Sequence, residues 1–338
     1  MKSRIKIVAS LLFVIYVTGC GVTQDDVLGV TSSCNNIDIE ELRFQNFISE
    51  DCKKAIENLL PKPENNLDNR LLALGQNITD KRELFLLASS AVGVSLDLSS
   101  SSITVEVDTN GVKSVLDATD YTIGKFADLY KGDPLLSISS VLDYSSSMSD
   151  GDIDDSVTIF SDIFTIFTTP LLESEIRLFS EFVYPKLTFN SDKDTLLANI
   201  AKDENIERDS TALYDAIGTG LKALALRHTP IKVMIISTDG MENNSVEYTN
   251  KQTLYSLAKS NNIPVVIIGT LFSDLSFMRE LASETNGIFI YNKTILKVKE
   301  DAKSFIDMLK NIQVITITKS FGSNSTFTIT ADDKSVSF

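Results

Sequence analysis

The chain has 338 residues, with 46 acidic against 31 basic side chains and a formal net charge of −15. A surface of that sign repels nucleic acid and anionic lipid, and neither a P-loop nor a G-x-G-x-x-G fingerprint occurs to hold a nucleotide. One histidine and three cysteines leave little material for a nitrogen- or sulfur-ligated metal site, or for the base that a serine nucleophile needs.

Lys2, Arg4 and Lys6 precede an apolar run, Ile7–Val17, that is too short to span a bilayer as a stable helix. Together they read as an export signal. The run ends in Val17-Thr18-Gly19-Cys20, which resembles the lipobox of bacterial lipoproteins. The resemblance implies cleavage before Cys20 and fatty acylation of that cysteine. Each buried methylene of an acyl chain contributes about 0.8 kcal/mol, so several chains hold a protein to a membrane essentially permanently. No later stretch approaches the roughly 18 consecutive apolar residues of a membrane-spanning helix, so the remainder is expected in water outside the cytoplasm. Val22, where inner-membrane lipoproteins carry aspartate, leans toward the outer membrane if the host has one. In an oxidising compartment Cys34 and Cys52 are expected to form one disulfide, worth about 3 kcal/mol.

A polar leader runs to about Asn36, and a helix is predicted next, from Leu42, Phe44, Phe47, Ile48, Ile56 and Leu59 at near-helical spacing, stopped by Pro61 and Pro63. From Val94 the period becomes two: "VSLDL" and "ITVEVDTNGVKSVL" read as strands, with Asn110-Gly111 as a hairpin turn because both residues tolerate positive φ. Between Leu135 and Asn311 the apolar runs "LLSISSVL", "VMIIST", "VVIIGT" and "IFIY" alternate with amphipathic helices, the pattern of a parallel sheet covered on both faces. In the first of these helices Ile153, Val157, Phe160, Ile163, Phe164 and Phe167 share one face. "VITITKSF" and "STFTITADDKSVSF" return to period two and are expected to pair with the strands before Leu135. The domains so read are a signal peptide (1–19), an anchor and helical segment (20–90), β strands (91–134), an α/β domain (135–312) and closing β strands (313–338). The fold class is α/β, a doubly wound, mostly parallel sheet with a small antiparallel β domain and an N-terminal helical segment.

In an open parallel sheet, ligands gather at the carboxyl ends of the strands. Three such places carry oxygen side chains: Asp143-Tyr144-Ser145-Ser146-Ser147, the "TALYDAI" helix start at Thr211, and "STDG" with Asp239. The D-x-S-x-S element, the threonine and the TDG strand end, in this order and followed by "NNIPVVIIGT" and "LASETNGIFIY", resemble a von Willebrand factor type A domain. The resemblance covers about residues 135 to 312. It implies a metal-ion-dependent adhesion site with ligands at Asp143, Ser145, Ser147, Thr211 and Asp239, and a cation that is Mg²⁺ or Mn²⁺. Hydroxyls and carboxylates without His or Cys suit such a hard cation on their own terms. In the family, serine hydroxyls bind the ion directly, aspartates often act through water, and a partner protein's carboxylate takes the open position. Ser146 and Ser210 stand where that family commonly has glycine. Tyr144, Met241, Glu242 and Asn243 are expected on the partner-binding rim.

Hydrolysis finds no support, because His228 sits at a predicted helix C-terminus, where the dipole explains it, and no G-x-S-x-G elbow surrounds Ser145. Asp150, Asp152 and Asp154 imitate an EF-hand start, but Asp155 replaces the sixth-position glycine and Ser161 the twelfth-position glutamate. They read instead as the acidic first turn of a helix. The expectation is therefore a lipid-anchored extracytoplasmic binding protein and not an enzyme, with a metal-independent structural or assembly subunit of the cell envelope as the alternative. Chelator sensitivity separates the two.

Overall fold

The computed structural model describes residues 64–65, 70–78, 82–90, 94–98, 103–167, 170–238, 242–269, 275–291, 295–322, 324–331 and 334–338. The chain divides into two units, Met1–Pro63 with Asp274–Phe277 and Glu64–Ser273 with Met278–Phe338, and the sheets and the site belong to the second. The expected signal peptide, Cys20, the Cys34–Cys52 disulfide and the first helix lie outside the described residues.

In chain order the strands are β1 (Glu64–Asn65), β2 (Leu71–Asn77), β3 (Arg82–Ala88), β4 (Ile103–Thr109), β5 (Val112–Val115), β6 (Tyr121–Lys125), β7 (Leu136–Asp143) and β8 (Leu172–Phe179). They continue with β9 (Val183–Asn190), β10 (Ile231–Thr238), β11 (Val265–Gly269), β12 (Ile288–Tyr291), β13 (Gln313–Ile317), β14 (Ser325–Ala331) and β15 (Lys334–Ser337). The helices are α1 (Phe126–Leu129), α2 (Asp150–Phe164), α3 (Lys193–Ile200), α4 (Leu213–Ala225), α5 (Lys251–Ser260), α6 (Leu275–Glu284) and α7 (Ile295–Lys310). Among the described residues no helix is long and apolar enough to cross a membrane.

The site hangs on a parallel sheet. Strands β8, β7, β10, β11 and β12 lie side by side and parallel, with β9 antiparallel at one edge and β1 at the other. Every residue of β7 is buried, as a strand covered on both faces requires. One face packs Ile138 and Leu142 against Ile153, Phe160 and Ile163 of α2 and Phe305 of α7. On the other face α4 comes close enough that a Cβ on Gly220 would stand 2.6 Å from Ser139 Oγ and 2.5 Å from Met234 Cε. Glycine is needed there for the approach of the helix.

The hydroxyls inside β7 are satisfied by carboxylates on β8. Ser137 Oγ donates to Glu173 at 2.6 Å and Ser139 Oγ to Glu175 at 2.6 Å. Each carboxylate also takes a two-pronged guanidinium, Glu173 from Arg227 (2.8 and 2.7 Å) and Glu175 from Arg177 (2.8 and 2.7 Å). Buried charge is tolerated where it is paired and hydrogen-bonded. In the sequence the β8–β9 hairpin carries no apolar run like those of the parallel strands, because Glu173, Glu175 and Arg177 alternate as a solvent face would.

The flanking β structure comes from both ends of the described chain. Antiparallel β2-β3-β13-β6 joins the large sheet through one residue pair, Ile231 with Gly75, where a Cβ would lie 2.0 Å from Pro230 O. A separate antiparallel sheet, β15-β14-β4-β5, packs over it, with Leu84, Leu86, Val105, Val107, Ile315, Phe327 and Ile329 in the core between them. β14 pairs with β4 along seven residues and β13 with β3 along five, so the α/β portion interrupts this sandwich. The β4–β5 turn has Asn110 at φ 57° and Gly111 at φ 84°, the positive values expected of Asn-Gly. "VSLDL" departs from expectation: it makes an isolated bridge, Ser95 with Ser89, and turns Leu98 into the sandwich core instead of forming a strand.

Candidate metal centre

β7 delivers Asp143 to the carboxyl end of the sheet, and the chain turns at once. Asp143 Oδ1 accepts the Ser145 N–H at 2.7 Å, and its Oδ2 accepts the hydroxyl of Thr238, the last residue of neighbouring β10. Ser145 Oγ and Ser147 Oγ face each other at 3.0 Å. Met148 N–H closes the turn on Ser145 O at 3.2 Å, and Ser149 caps α2 in a reciprocal box with Asp152. Asp143 and Ser145 are each 1% exposed.

A second segment is drawn onto this turn. Ser146 N–H donates to Asp209 O at 3.0 Å, while Ser180, after β8, accepts Ala212 N–H at its carbonyl (2.8 Å) and Asp209 N–H at its hydroxyl (3.0 Å). Thr211, buried between these anchors, has its N–H on Asn243 Oδ1 at 2.8 Å. Its carbonyl accepts Asn243 N–H (3.1 Å) and Asn244 N–H (3.2 Å). The fold therefore gathers Asp143, Ser145 and Ser147 in one turn and ties the segment that carries Thr211 to that turn through Asp209. Asp239 and Met241 lie outside the described residues, directly after the Thr238 that holds Asp143.

The donor set fits a hard cation. Among the described residues no group of three or more His, Cys, Asp or Glu is arranged to hold a metal ion, and the oxygens beside Asp143 are hydroxyls of Ser145, Ser147 and Thr238. Neighbouring ligands on an octahedral Mg²⁺ at about 2.1 Å are separated by about 3.0 Å, the distance between the two serine oxygens. Asp143, with an N–H and an O–H already on its oxygens, suits the outer shell.

Of the expected rim, Tyr144 is a correction. Its N–H donates to Phe179 O at 2.7 Å, which turns the ring into the core at 1% exposure, and its hydroxyl accepts Asp203 N–H at 3.3 Å. Burial pushes that phenol's pKa up. Such a ring offers a partner nothing. Glu242 is half-buried and engaged within the protein, its carboxylate accepting N–H groups of Tyr214 (2.7 Å), Asn244 (2.9 Å) and Ser245 (2.6 Å) and the Ser245 hydroxyl (2.7 Å). Asn243 is exposed and grips Thr211.

Sequence reasoning missed Asp215, whose carboxylate receives Val246 N–H (2.9 Å), Glu247 N–H (3.0 Å) and Tyr248 N–H (2.7 Å). Its place three residues into α4 is the acidic position of a helix start, the signal that marks it. Phe182 (59% exposed) and Val246 (82%) are apolar side chains open to solvent on neighbouring loops. Their loops are joined by Asn244 Nδ2 on Glu181 O at 2.9 Å. Asp152 is used in the α2 cap, and Asp150 pairs with Lys202 (3.0 Å) and Arg208 (2.8 Å), cations that lower its pKa, Lys202 foremost. His228 is exposed beyond the end of α4.

A parallel sheet covered on both faces, with a serine-and-aspartate turn at the carboxyl end of one strand, defines an open α/β domain with oxygen side chains gathered at one end of its sheet. The profile of the von Willebrand factor type A domain matches residues 138–307, half of the chain, and the chain belongs to that family. Such domains often bind a divalent metal at the adhesion site and commonly bind protein partners. Among solved structures, the mussel byssus proximal thread matrix protein 1 with a zinc-occupied adhesion motif is similar at 18% identity and TM-score 0.47, over 60% of this chain and 50% of that one. BatB from Bacteroides thetaiotaomicron is similar at 15% identity and TM-score 0.41, over 52% and 100% of the two chains. A von Willebrand factor type A protein from Catenulispora acidiphila is similar at 9% identity and TM-score 0.46, over 64% and 71%. The chain spans half the length of the mussel protein. No curated protein matches.

Proposed function

We propose that this protein is a lipid-anchored, extracytoplasmic binding protein whose type A domain engages a protein ligand through Mg²⁺ or Mn²⁺, and that it binds rather than catalyses. The observation that carries the reading is the pair of serine oxygens 3.0 Å apart beside the buried Asp143. Ser145 and Ser147 would hold the ion directly, with Thr211, Asp143 and Asp239 completing its surroundings. The ion supplies a Lewis-acidic position for a carboxylate of the partner. Cys20 would carry the lipid, and the acidic surface favours a partner with basic groups around that carboxylate.

A second reading has its own observation. Asp143 and both serines are hydrogen-bonded within the turn, as a metal-independent assembly subunit of the envelope would also have them. Thermal unfolding with and without Mg²⁺ or Mn²⁺, beside Asp143→Ala, separates the two. A cation that binds only the folded state, at a hundredfold over its Kd, stabilises by about 2.7 kcal/mol. The expected result is a cation-dependent rise in Tm for wild type that the variant lacks. A Tm indifferent to cation in both proteins would favour the second reading. The anchor is tested by Cys20→Ser, which should move the protein from the membrane to the soluble fraction.

A further inference from the structure

The loop after β10 holds Thr211 from both sides. Asn243 Oδ1 takes its N–H at 2.8 Å, and the N–H groups of Asn243 and Asn244 reach its carbonyl at 3.1 and 3.2 Å. That loop is in turn locked to the start of α4. Glu242 receives Tyr214 N–H, Ser245 Oγ receives Asp215 N–H at 2.9 Å, and Asp215 returns the grip on the N–H groups of residues 246–248. The ring of Tyr248 lies flat against the helix, where a Cβ on Gly218 would stand 2.4 Å from it. Residues 242–248 are therefore tied by hydrogen bonds both to Thr211 and to the first turn of α4.

Resting on the cation reading above, we infer that Asn243 is the positioning residue for Thr211, and that the 242–248 loop thereby sets the affinity of the site for its cation. A ligand oxygen has to be held within about 0.5 Å of its productive place by the groups around it. The Thr211 hydroxyl is carried on the Cα between the two main-chain groups that the loop grips. Asn243 supplies the bond on the N–H side, through its side chain, and one of the two on the carbonyl side, through its main chain. Removing its side-chain oxygen frees the Thr211 N–H and lets the hydroxyl swing, while Ser145 and Ser147, which belong to the β7 turn, stay in place.

The test is Mn²⁺ binding to the full chain, read by the loss of the free-ion paramagnetic resonance signal, with metal-free melting in EDTA in parallel. Asn243→Leu keeps the size and removes the acceptor. It should weaken Mn²⁺ binding about tenfold or more, the usual cost of losing a group that orients a ligand. In a Thr211→Ala background the same change should cost nothing further, because no hydroxyl remains to position. Asn243→Ser, too short to reach the Thr211 N–H, should repeat both results and serves if the leucine variant does not fold. Wild-type binding with unchanged affinity in the Asn243 variants, or an equal loss in both backgrounds, overturns the positioning role and leaves only a structural one. Wild type that takes up no Mn²⁺ overturns the cation reading itself, and this inference with it.

Discussion

Replacing Glu242 tests the link between loop and helix at its strongest point. α4 has Ala212 at its N-cap and no side-chain cap of its own, so the N–H of Tyr214 depends on a carboxylate from elsewhere in the chain. Glu242→Ala removes that cap, worth about 1 kcal/mol, and the carboxylate's interaction with the helix dipole, about 0.5 kcal/mol. It also strips acceptors from the N–H groups of Asn244 and Ser245, which solvent only partly replaces, for about another 1.5 kcal/mol. The expected loss is about 3 kcal/mol in metal-free protein. Glu242→Gln keeps one oxygen. With that oxygen on Asn244 and Ser245, its amide can still donate to the rotatable Ser245 hydroxyl but opposes the Tyr214 N–H. About half of the loss should remain. Urea unfolding followed by circular dichroism in EDTA reads both. A glutamine variant as stable as wild type, or an alanine variant within about 0.5 kcal/mol of it, the range of ordinary surface changes, would refute the account of α4 as a helix capped in trans.

Two further predictions concern charges away from the turn. Arg227→Met leaves Glu173 buried with only the Ser137 hydroxyl and should cost about 2 kcal/mol, below the figure for a fully buried pair because the guanidinium is partly exposed over Phe189; adding Glu173→Gln should recover most of it, and strictly additive single losses in urea would show the two residues to be uncoupled. Asp203 is held near pKa 2, first by its hydrogen bond from Lys186 and then by Asn205. The unfolded chain binds the proton more readily, so this stabilisation is complete above about pH 4 and fades as pH falls toward 2. Asp203→Asn should flatten the acid limb of a stability profile between those values, and an unchanged slope would exclude Asp203 as its source.

What could be read from the sequence was whatever sits close together along the chain. Asp143, Ser145 and Ser147 fall within five residues, and the Asp143 carboxylate on the Ser145 N–H and the facing serine hydroxyls are contacts made inside that turn. α2 carried its start in the acidic first turn at Asp150 and Asp152 and its buried face in Ile153, Phe160 and Ile163. Asn110-Gly111 announced its turn by the one property that matters there, tolerance of positive φ. β8 stayed hidden because Glu173 and Glu175 become core residues only when Ser137 and Ser139, with Arg227 for the first of them, arrive from other parts of the chain. Tyr144 was misplaced for the opposite reason. Its place between Asp143 and Ser145 in a polar motif suggested exposure, whereas the hydrogen bond to Phe179 O continues the strand pairing one residue further and turns the ring inward. β2 and β3 needed β13, more than two hundred residues away in the chain, before their apolar residues had a sheet to join.

The missing local cap on α4 bears on how the site is built. Helices usually begin with a Ser, Thr, Asp or Asn whose oxygen turns onto the first N–H groups. Here the hydroxyl nearest that position belongs to Thr211, one residue too early, and the N-cap itself is Ala212. A hydroxyl committed to the helix would not be available to the cation proposed above. With the capping oxygens supplied instead by Glu242 and Ser245, Thr211 keeps its main chain fixed and its side chain out of the helix-capping role. The consequence is that α4 is not completed until the segment after β10 has docked, and β10 also brings Thr238 to Asp143. The β7 turn, the start of α4 and the end of β10 therefore complete one another, and a substitution at any one of them should be felt at the other two.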